Sequence, residues 1–344
     1  MKIGIIGLPG SGEKTVFEAL THNVIAEGQK LENRIGTIHV PDKRVDVLSD
    51  MYKPKKTIYA QVVYFLPGLQ GHGKETPKDY NIWSAVRDCD ALIHVVRNFG
   101  GYGFETPDPY KDFFNLEQEM ILADLVVVEK RLERIELEKQ KHRKIDQEEF
   151  ALLIECRKNL ENEIPLRKNP DFACAHSLKG FAFVSAKPAL VLFNNEDDDD
   201  SLPDVTDITS KESCMVIRGK LEQELAQMSD EDAEDFLSEF NITASAMDRV
   251  ISRSYDLQGL ISFFTVGDDE VRAWTIKKGT HAVDAAEVIH TDIKKGFIRA
   301  EVVLYEDLIN AGTYHEARKK GTVRLEGKTY EVQDGDIINF RFNV

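Results

Sequence analysis

The stretch "GLPGSGEKT", Gly7 to Thr15, constrains the fold more than any other part of the chain. It follows the apolar run "MKIGII", which reads as a buried strand, and precedes "TVFEAL", which reads as the first turns of an amphipathic helix. A glycine-rich turn between a strand and a helix is the frame of a phosphate-binding loop, with the pattern G-x-x-x-x-G-K-[ST]. Gly7 and Gly12 have the spacing of that pattern, and Gly7, Gly10, Ser11 and Gly12 supply a turn whose backbone N–H groups can cradle phosphate oxygens. The side chains do not follow it. Glu13 stands where the phosphate-binding lysine belongs, and Lys14, just before Thr15, stands where the magnesium hydroxyl belongs.

Further apolar runs, "YAQVVYFLPG", "CDALIHVVRNF", "FAFVSAKPALVLFNN" and "SCMVIRG", read as strands separated by helical segments. Strands alternating with helices predict an α/β unit with a parallel sheet covered on both faces. Ligands bind such sheets at the carboxyl ends of the strands. From about Asn115 to Glu163 the texture changes to Glu, Lys, Arg and Leu with almost no Gly or Pro. Apolar residues at three- and four-residue intervals there predict two antiparallel helices joined near "HRKIDQ". After Gly259, short β-rich runs surround the helix-like "HAVDAAEVIHTDI", which predicts a small α+β domain. Its end, "VRLEGKTYEVQDGDIINFRFNV", reads as a hairpin, a turn at Asp334-Gly335 and a closing strand. The expected division is residues 1–114 with 166–259, an inserted hairpin over 115–165, and a terminal domain over 260–344. "EDDDDSLPDVTD" reads as an exposed acidic loop.

Composition narrows the function classes. A chain of 344 residues is too long for one compact core. No apolar run reaches the roughly 18 residues a membrane-spanning helix needs, and no secretory signal precedes the first strand, so a cytoplasmic, membrane-free protein is expected. Four cysteines without pair spacing speak for a reducing compartment and against a disulfide framework or zinc site. A formal net charge of -16 opposes binding to bare DNA. Lys294, Lys295 and Arg299 nevertheless form a local basic cluster, a candidate RNA contact or a solvated face.

Several segments carry a family likeness: "IGLPGSGEKTVFEAL", "HVPDKRVDVLSDMYKPKKTI", "ALIHVVR", "KPALVLFNN", "EVRAWTIKKGT", "AEVIHTDIKKGFIRAEVVLYEDL" and "RLEGKTYEVQDGDIINFRFNV". In order and over essentially the whole chain they resemble the Obg-like ATPases of the YchF type. The resemblance implies a P-loop GTPase-like parallel sheet, an inserted α-helical hairpin and a C-terminal TGS domain of β-grasp shape. It also implies a cytoplasmic, ribosome-associated nucleotide hydrolase that often prefers ATP.

Against that family the departures cluster at the nucleotide motifs. An ungapped alignment keeps Phe17 and Leu20 on the buried face of the first helix, so Glu13 replaces the family's lysine. Phe65 replaces the aspartate of "DIAGL", although Gly68 and Leu69 remain, and Lys30 replaces a threonine expected near the metal. The base-reading segment is "NNED": Asn194 is kept, Asp197 replaces a glutamate, and Asn195 stands where guanine-reading loops have lysine. Asp197 either reads a base or simply begins the acidic loop. Glu13 would repel a phosphate about 4 Å away by roughly 4 kcal/mol at a surface-like dielectric. Three outcomes stay open for the site: binding of ATP or GTP without Mg2+, with Lys14 and Lys30 neutralising phosphates; a closed pocket, with Glu13 and Lys14 paired to neighbours; or ordinary magnesium-dependent hydrolysis. The sequence therefore points to a catalytically impaired regulator that binds a ribosome or a ribosome-associated protein. The alternative is an active hydrolase acting as a translation-linked switch.

Overall fold

Strand β1 (Lys2–Gly7) runs through the middle of a six-stranded sheet, because Ile3, Ile5 and Ile6 are buried on both of its faces. A computed structural model describes residues 1–23, 32–68, 82–101, 105–229, 232–233, 236–237 and 245–343. Within it, β2 (Arg34–His39), β4 (Gln61–Leu66), β1, β5 (Ala91–Asn98), β6 (Ala189–Asn195) and β7 (Ser213–Ile217) lie side by side in that order. β4, β5, β6 and β7 pair parallel along the chain of neighbours that starts at β1. All seven residues of β6 are buried, the pattern of a parallel strand covered on two sides. Helices α1 (Glu13–Thr21), α2 (Lys43–Tyr52), α3 (Ile82–Val86), α4 (Pro109–Gln140), α5 (Gln147–Glu161), α6 (Pro170–Cys174), α7 (Thr206–Thr209) and α8 (Gly219–Leu225) intervene.

The hairpin of α4 and α5 turns over within residues 141–146, where the sequence places it. Its start is earlier than the expected residue 115. Asp108 accepts the Lys111 N–H as N-cap and Pro109 occupies the first turn, a combination that fixes a helix start. The first half of α4 therefore belongs to the sheet: Leu116 and Met120 pack with Ile6 and Leu92, and Phe113 packs with Val96 and Val191. Further along, Val128, Leu132 and Ile135 meet Leu153, Cys156 and Leu160 of α5. The run "FAFV" is not a strand. The Val184 and Ser185 N–H groups donate to the buried Asp124 carboxylate of α4, at 3.1 and 2.7 Å, and β6 starts only at Ala189.

A second sheet is mixed, in the order β11 (Arg324–Glu326), β10 (Phe297–Leu304), β12 (Asp336–Phe342), β8 (Leu260–Val266), β9 (Glu270–Lys277) and β3 (Lys56–Ile58). The helix Ala282–Ile289 covers one face through Ala282, Ala285 and Ala286, whose small side chains sit with Phe263, Phe297 and Phe340. The turn at Asp334-Gly335 is present, with Gly335 at φ 86. The expected hairpin before it is not: β11 pairs antiparallel with β10, and the chain then crosses to place β12 on the other side of β10.

The chain divides into two compact units, Met1–Ile38 with Val63–Val250, and His39–Val62 with Ile251–Val344. Two boundaries differ from those read in the sequence. The hairpin belongs to the first unit, through the shared helix α4. The segment His39–Val62 joins the second, because β3 extends the second sheet by pairing parallel with β9. Within that unit the Arg44 guanidinium bonds both Asp42, at 2.8 Å, and Asp334, at 2.7 Å, and lies 5.0 Å from the Phe264 ring. Val45 and Leu48 are fully buried there.

Candidate functional site

The loop between β1 and α1 lies at the carboxyl ends of the parallel strands, where β1 pairs Gly7 with Val95 of β5. A Cβ on Gly7 would come within 2.1 Å of the Ser11 hydroxyl and 2.9 Å of the Val95 carbonyl, so only glycine fits. Gly10 and Gly12 have φ of 88 and 89, the left-handed region that glycine enters freely. The Ser11 N–H closes the turn on the Leu8 carbonyl at 2.9 Å, and α1 begins at Glu13.

Asn194 at the end of β6 fastens this loop. Its amide donates to the Ser11 carbonyl and its Oδ1 accepts the Gly219 N–H, both at 3.0 Å. Asp197 accepts the Leu221 N–H at 3.1 Å through Oδ1. These two side chains cap the first turn of α8, whose own N-cap Arg218 supplies no side-chain bond. Asn195 is buried and holds the Ser201 carbonyl and the Asn98 amide. Gly7, Gly10, Ser11, Gly12, Glu13, Lys14 and Thr15 thus form one loop and helix start to which Asn194 is bonded, while Asp197 is bonded to α8.

What occupies the cradle is Glu13. Its carboxylate accepts from the Ser11 hydroxyl at 3.0 Å, and the backbone N–H groups of Gly12 and Glu13 beside it favour its charged form. These are donors that a phosphate-binding loop turns toward its anion. Burial pushes the Glu13 carboxyl above its ordinary value, while those donors pull it back in part. Lys14 is directed elsewhere: its ammonium lies 3.6 Å from Glu18, one turn along α1. Glu18 is itself buried and accepts from Gln223 of α8. Phe17 and Leu20 are buried, as the ungapped alignment expects.

The residues do not fit a magnesium ion placed as the motif would place it. Phe65 is buried with Ile6, Trp83, Val86 and Leu92, and presents a ring where a metal carboxylate would stand. Lys30 and Leu69 lie outside the described residues. As arranged, the loop fits a phosphate only if the Glu13 carboxylate leaves it.

The residues from the other unit form a different picture from the expected basic cluster. Lys294 bridges Asp284, at 3.0 Å, and Glu287, at 2.5 Å, and these carboxylates hold its ammonium above the ordinary lysine range. Lys295 lies 3.6 Å from Asp292, and Arg299 is exposed on β10. Local charge is largely balanced. His290 is the N-cap of the helix Thr291–Lys295 and accepts the Asp292 N–H at 3.1 Å, a structural role.

Residues 260–343 match a family model described as YchF-GTPase_C, a protein of unknown function (DUF933). A Bacillus subtilis protein named ribosome-binding ATPase YchF is 37% identical, with 99% of each chain covered. The chain belongs to the YchF family. A YchF relative from Haemophilus influenzae, also named a ribosome-binding ATPase, is 35% identical over 100% of this chain and 99% of its own. The solved structure of the Schizosaccharomyces pombe YchF GTPase matches with a TM-score of 0.82 and 29% identity, covering 99% of this chain and 97% of that one. The YchF fold expected from the sequence, a GTPase-like sheet with a helical hairpin and a C-terminal β-grasp-like unit, is the fold of this chain. Sequence reading missed Ser11 as the partner of Glu13, and Gln223 and Gly219 as partners of Glu18 and Asn194. Only Ser11 left a local signal, a hydroxyl two residues before the acid.

Proposed function

We propose that this chain is a cytoplasmic, ribosome-associated YchF protein whose phosphate loop is held by its own Glu13. It acts as a ribosome- or protein-binding regulator without turning over nucleotide. The observation that carries this reading is the buried Glu13 carboxylate bonded to the Ser11 hydroxyl within the loop. Phosphoryl transfer depends on positioning and on cations that stabilise developing charge. Here the lysine position carries a carboxylate, Lys14 is drawn to Glu18, and the aspartate position carries Phe65. Ribosome association rests on the names of the relatives.

One observation favours the alternative of an active ATP or GTP hydrolase: the glycine turn and its Asn194 brace keep the form of a working cradle. Two measurements separate the readings. Calorimetric titration with ATP and GTP, with and without Mg2+, together with a phosphate-release assay, should show turnover at background and any affinity indifferent to chelator. Co-sedimentation with ribosomes should be the same with and without nucleotide. Magnesium-dependent turnover, or ribosome binding that needs ATP or GTP, would establish the switch instead.

A further inference from the structure

The seam between α4 and α5 is covered on one side and open on the other. On the covered side, the Arg131 guanidinium makes two bonds to Glu149, at 2.7 and 2.8 Å, and reaches Glu138 at 3.4 Å. On the open side lies a groove of about 700 Å³. Leu132, Leu137, Phe150 and Ile154 supply its apolar part, and Glu129, Glu133 and Glu136 of α4 line one wall. Arg157 faces them from α5 but lies 3.7 Å from Glu161. Lys139 closes over the Phe150 ring at 3.5 Å.

The apolar part extends beyond the groove. Leu122, Val126 and Leu137 of α4 are 58%, 46% and 54% exposed, on one helical face with Glu129 and Glu133 between them. Leu122 to Leu137 spans about 22 Å at the rise of an α-helix. The groove leaves an apolar strip between two antiparallel helices, the seat that a third helix takes in a bundle. The carboxylate wall selects the charge of that helix. An RNA backbone would meet three carboxylates and no row of cations, so the groove disfavours it.

We propose that the open side of the hairpin is a docking groove for a basic amphipathic helix of a protein partner. Leucine- or phenylalanine-type residues at three- and four-residue spacing fill the strip between α4 and α5, and flanking lysine or arginine residues meet Glu129, Glu133 and Glu136. This is the helix-in-groove mode of recognition, with apolar anchors giving affinity and opposite charges giving orientation. It makes no use of the loop around Glu13, so the two readings stand or fall separately.

The test uses the full-length protein and a labelled synthetic helix of leucine and lysine, about 18 residues long so as to span the strip. Binding is read by fluorescence anisotropy, and position by photo-crosslinking. Glu133→Lys/Glu136→Lys should weaken binding at least tenfold, and Leu137→Ser about fivefold. The surface control Asp198→Lys/Asp200→Lys changes net charge equally and should stay within about twofold, because distant exposed charges are screened. Crosslinks should fall on α4 and α5. All these positions are solvent-facing, so folding is retained and is verified by circular dichroism. An equal loss in the control, crosslinks elsewhere, or no measurable binding would overturn the proposal. An RNA hairpin whose binding is lost with the groove substitutions would replace it with nucleic-acid recognition.

Discussion

Replacing Glu13 with alanine should open the phosphate loop and raise its affinity for a triphosphate. Two routes exist for a phosphate to reach the loop in the native chain, and their costs decide the magnitude. If the Glu13 carboxylate stays, an anion about 4 Å away meets a repulsion of roughly 4 kcal/mol at an effective dielectric of 20. If it swings out, it gives up the 3.0 Å bond from Ser11. A single bond to a charged group is worth about 1.5–3 kcal/mol, so swinging out is the cheaper route. Glu13→Ala removes that cost, and ATP or GTP should bind roughly ten- to a hundredfold tighter. Proton linkage supplies a second signature. Burial raises the Glu13 carboxyl in the closed loop and swinging out returns it toward its ordinary 4.5, so binding releases a proton wherever the closed form is protonated. Native affinity relative to Glu13→Ala should therefore decrease as pH falls from neutrality toward the ordinary carboxyl value of 4.5. The assay is isothermal titration without Mg2+ at several pH values. Equal affinity of the native and alanine proteins, with the same pH slope, would refute the carboxylate-in-loop account.

The double substitution Glu13→Lys/Lys14→Ser should also tighten triphosphate binding, by at least about tenfold, yet leave phosphate release near background while Phe65 remains. Recovery of full turnover would show that the position of Phe65 is dispensable. Arg167 lies between Glu117, at 2.7 Å, and Glu212, at 3.3 Å; Glu212 also has Lys168 at 2.7 Å, so Arg167→Met strips the buried Glu117 carboxylate of its arginine. The cost should be about 3–5 kcal/mol, read by thermal or urea unfolding, and a loss under about 1 kcal/mol would show the cluster is not a stabilising unit. His94 is fully buried against Phe113, with neither ring nitrogen bonded, and burial holds it neutral down to about 3 from an ordinary 6.5. The unfolded chain binds the extra proton between those values, so this group's stabilisation is complete above about pH 6.5 and falls by about 2 kcal/mol by about pH 5. His94→Leu should flatten that part of the stability profile, and an unchanged slope would contradict the assignment.

The elements legible in the sequence are those whose pattern is local. β1, the glycine turn and α1 could be read from apolar spacing and two glycines, and α5 from its heptad-like spacing after Asp146. The start of α4 was also written locally, in Asp108-Pro109, but the change of composition near Asn115 masked it. Non-local pairing is what the sequence could not convey. β3 is three residues, "KTI", with its first two exposed, and its partner β9 lies more than 200 residues downstream. Nothing in the stretch from His39 to Val62 shows that it joins the second sheet. β11 fails as a hairpin arm for a related reason: the segment that follows it is tied elsewhere, by the Tyr330 hydroxyl to Asp336 and by the bridge between Glu331 and His281.

At the site, sequence supplied the substitution but not its resolution. A glutamate in the phosphate loop can clash with a phosphate, pair with a cation or take the phosphate's place. Lys14 was the obvious cation, yet the helix directs it one turn away to Glu18, which Gln223 also holds. That leaves Glu13 at the first position of α1, where the partial positive charge of the helix end and its unpaired N–H groups favour a carboxylate. An ordinary P-loop leaves these groups for its ligand. Here the chain supplies the anion itself, through a side chain tethered to the same loop and bonded to its Ser11 hydroxyl. The glycine conformations and the Asn194 brace can therefore persist for stability alone. Their retention fits a hydrolase and a bare scaffold alike, and the affinity of the Glu13→Ala protein is the measurement that distinguishes a retained scaffold from a retained binding site.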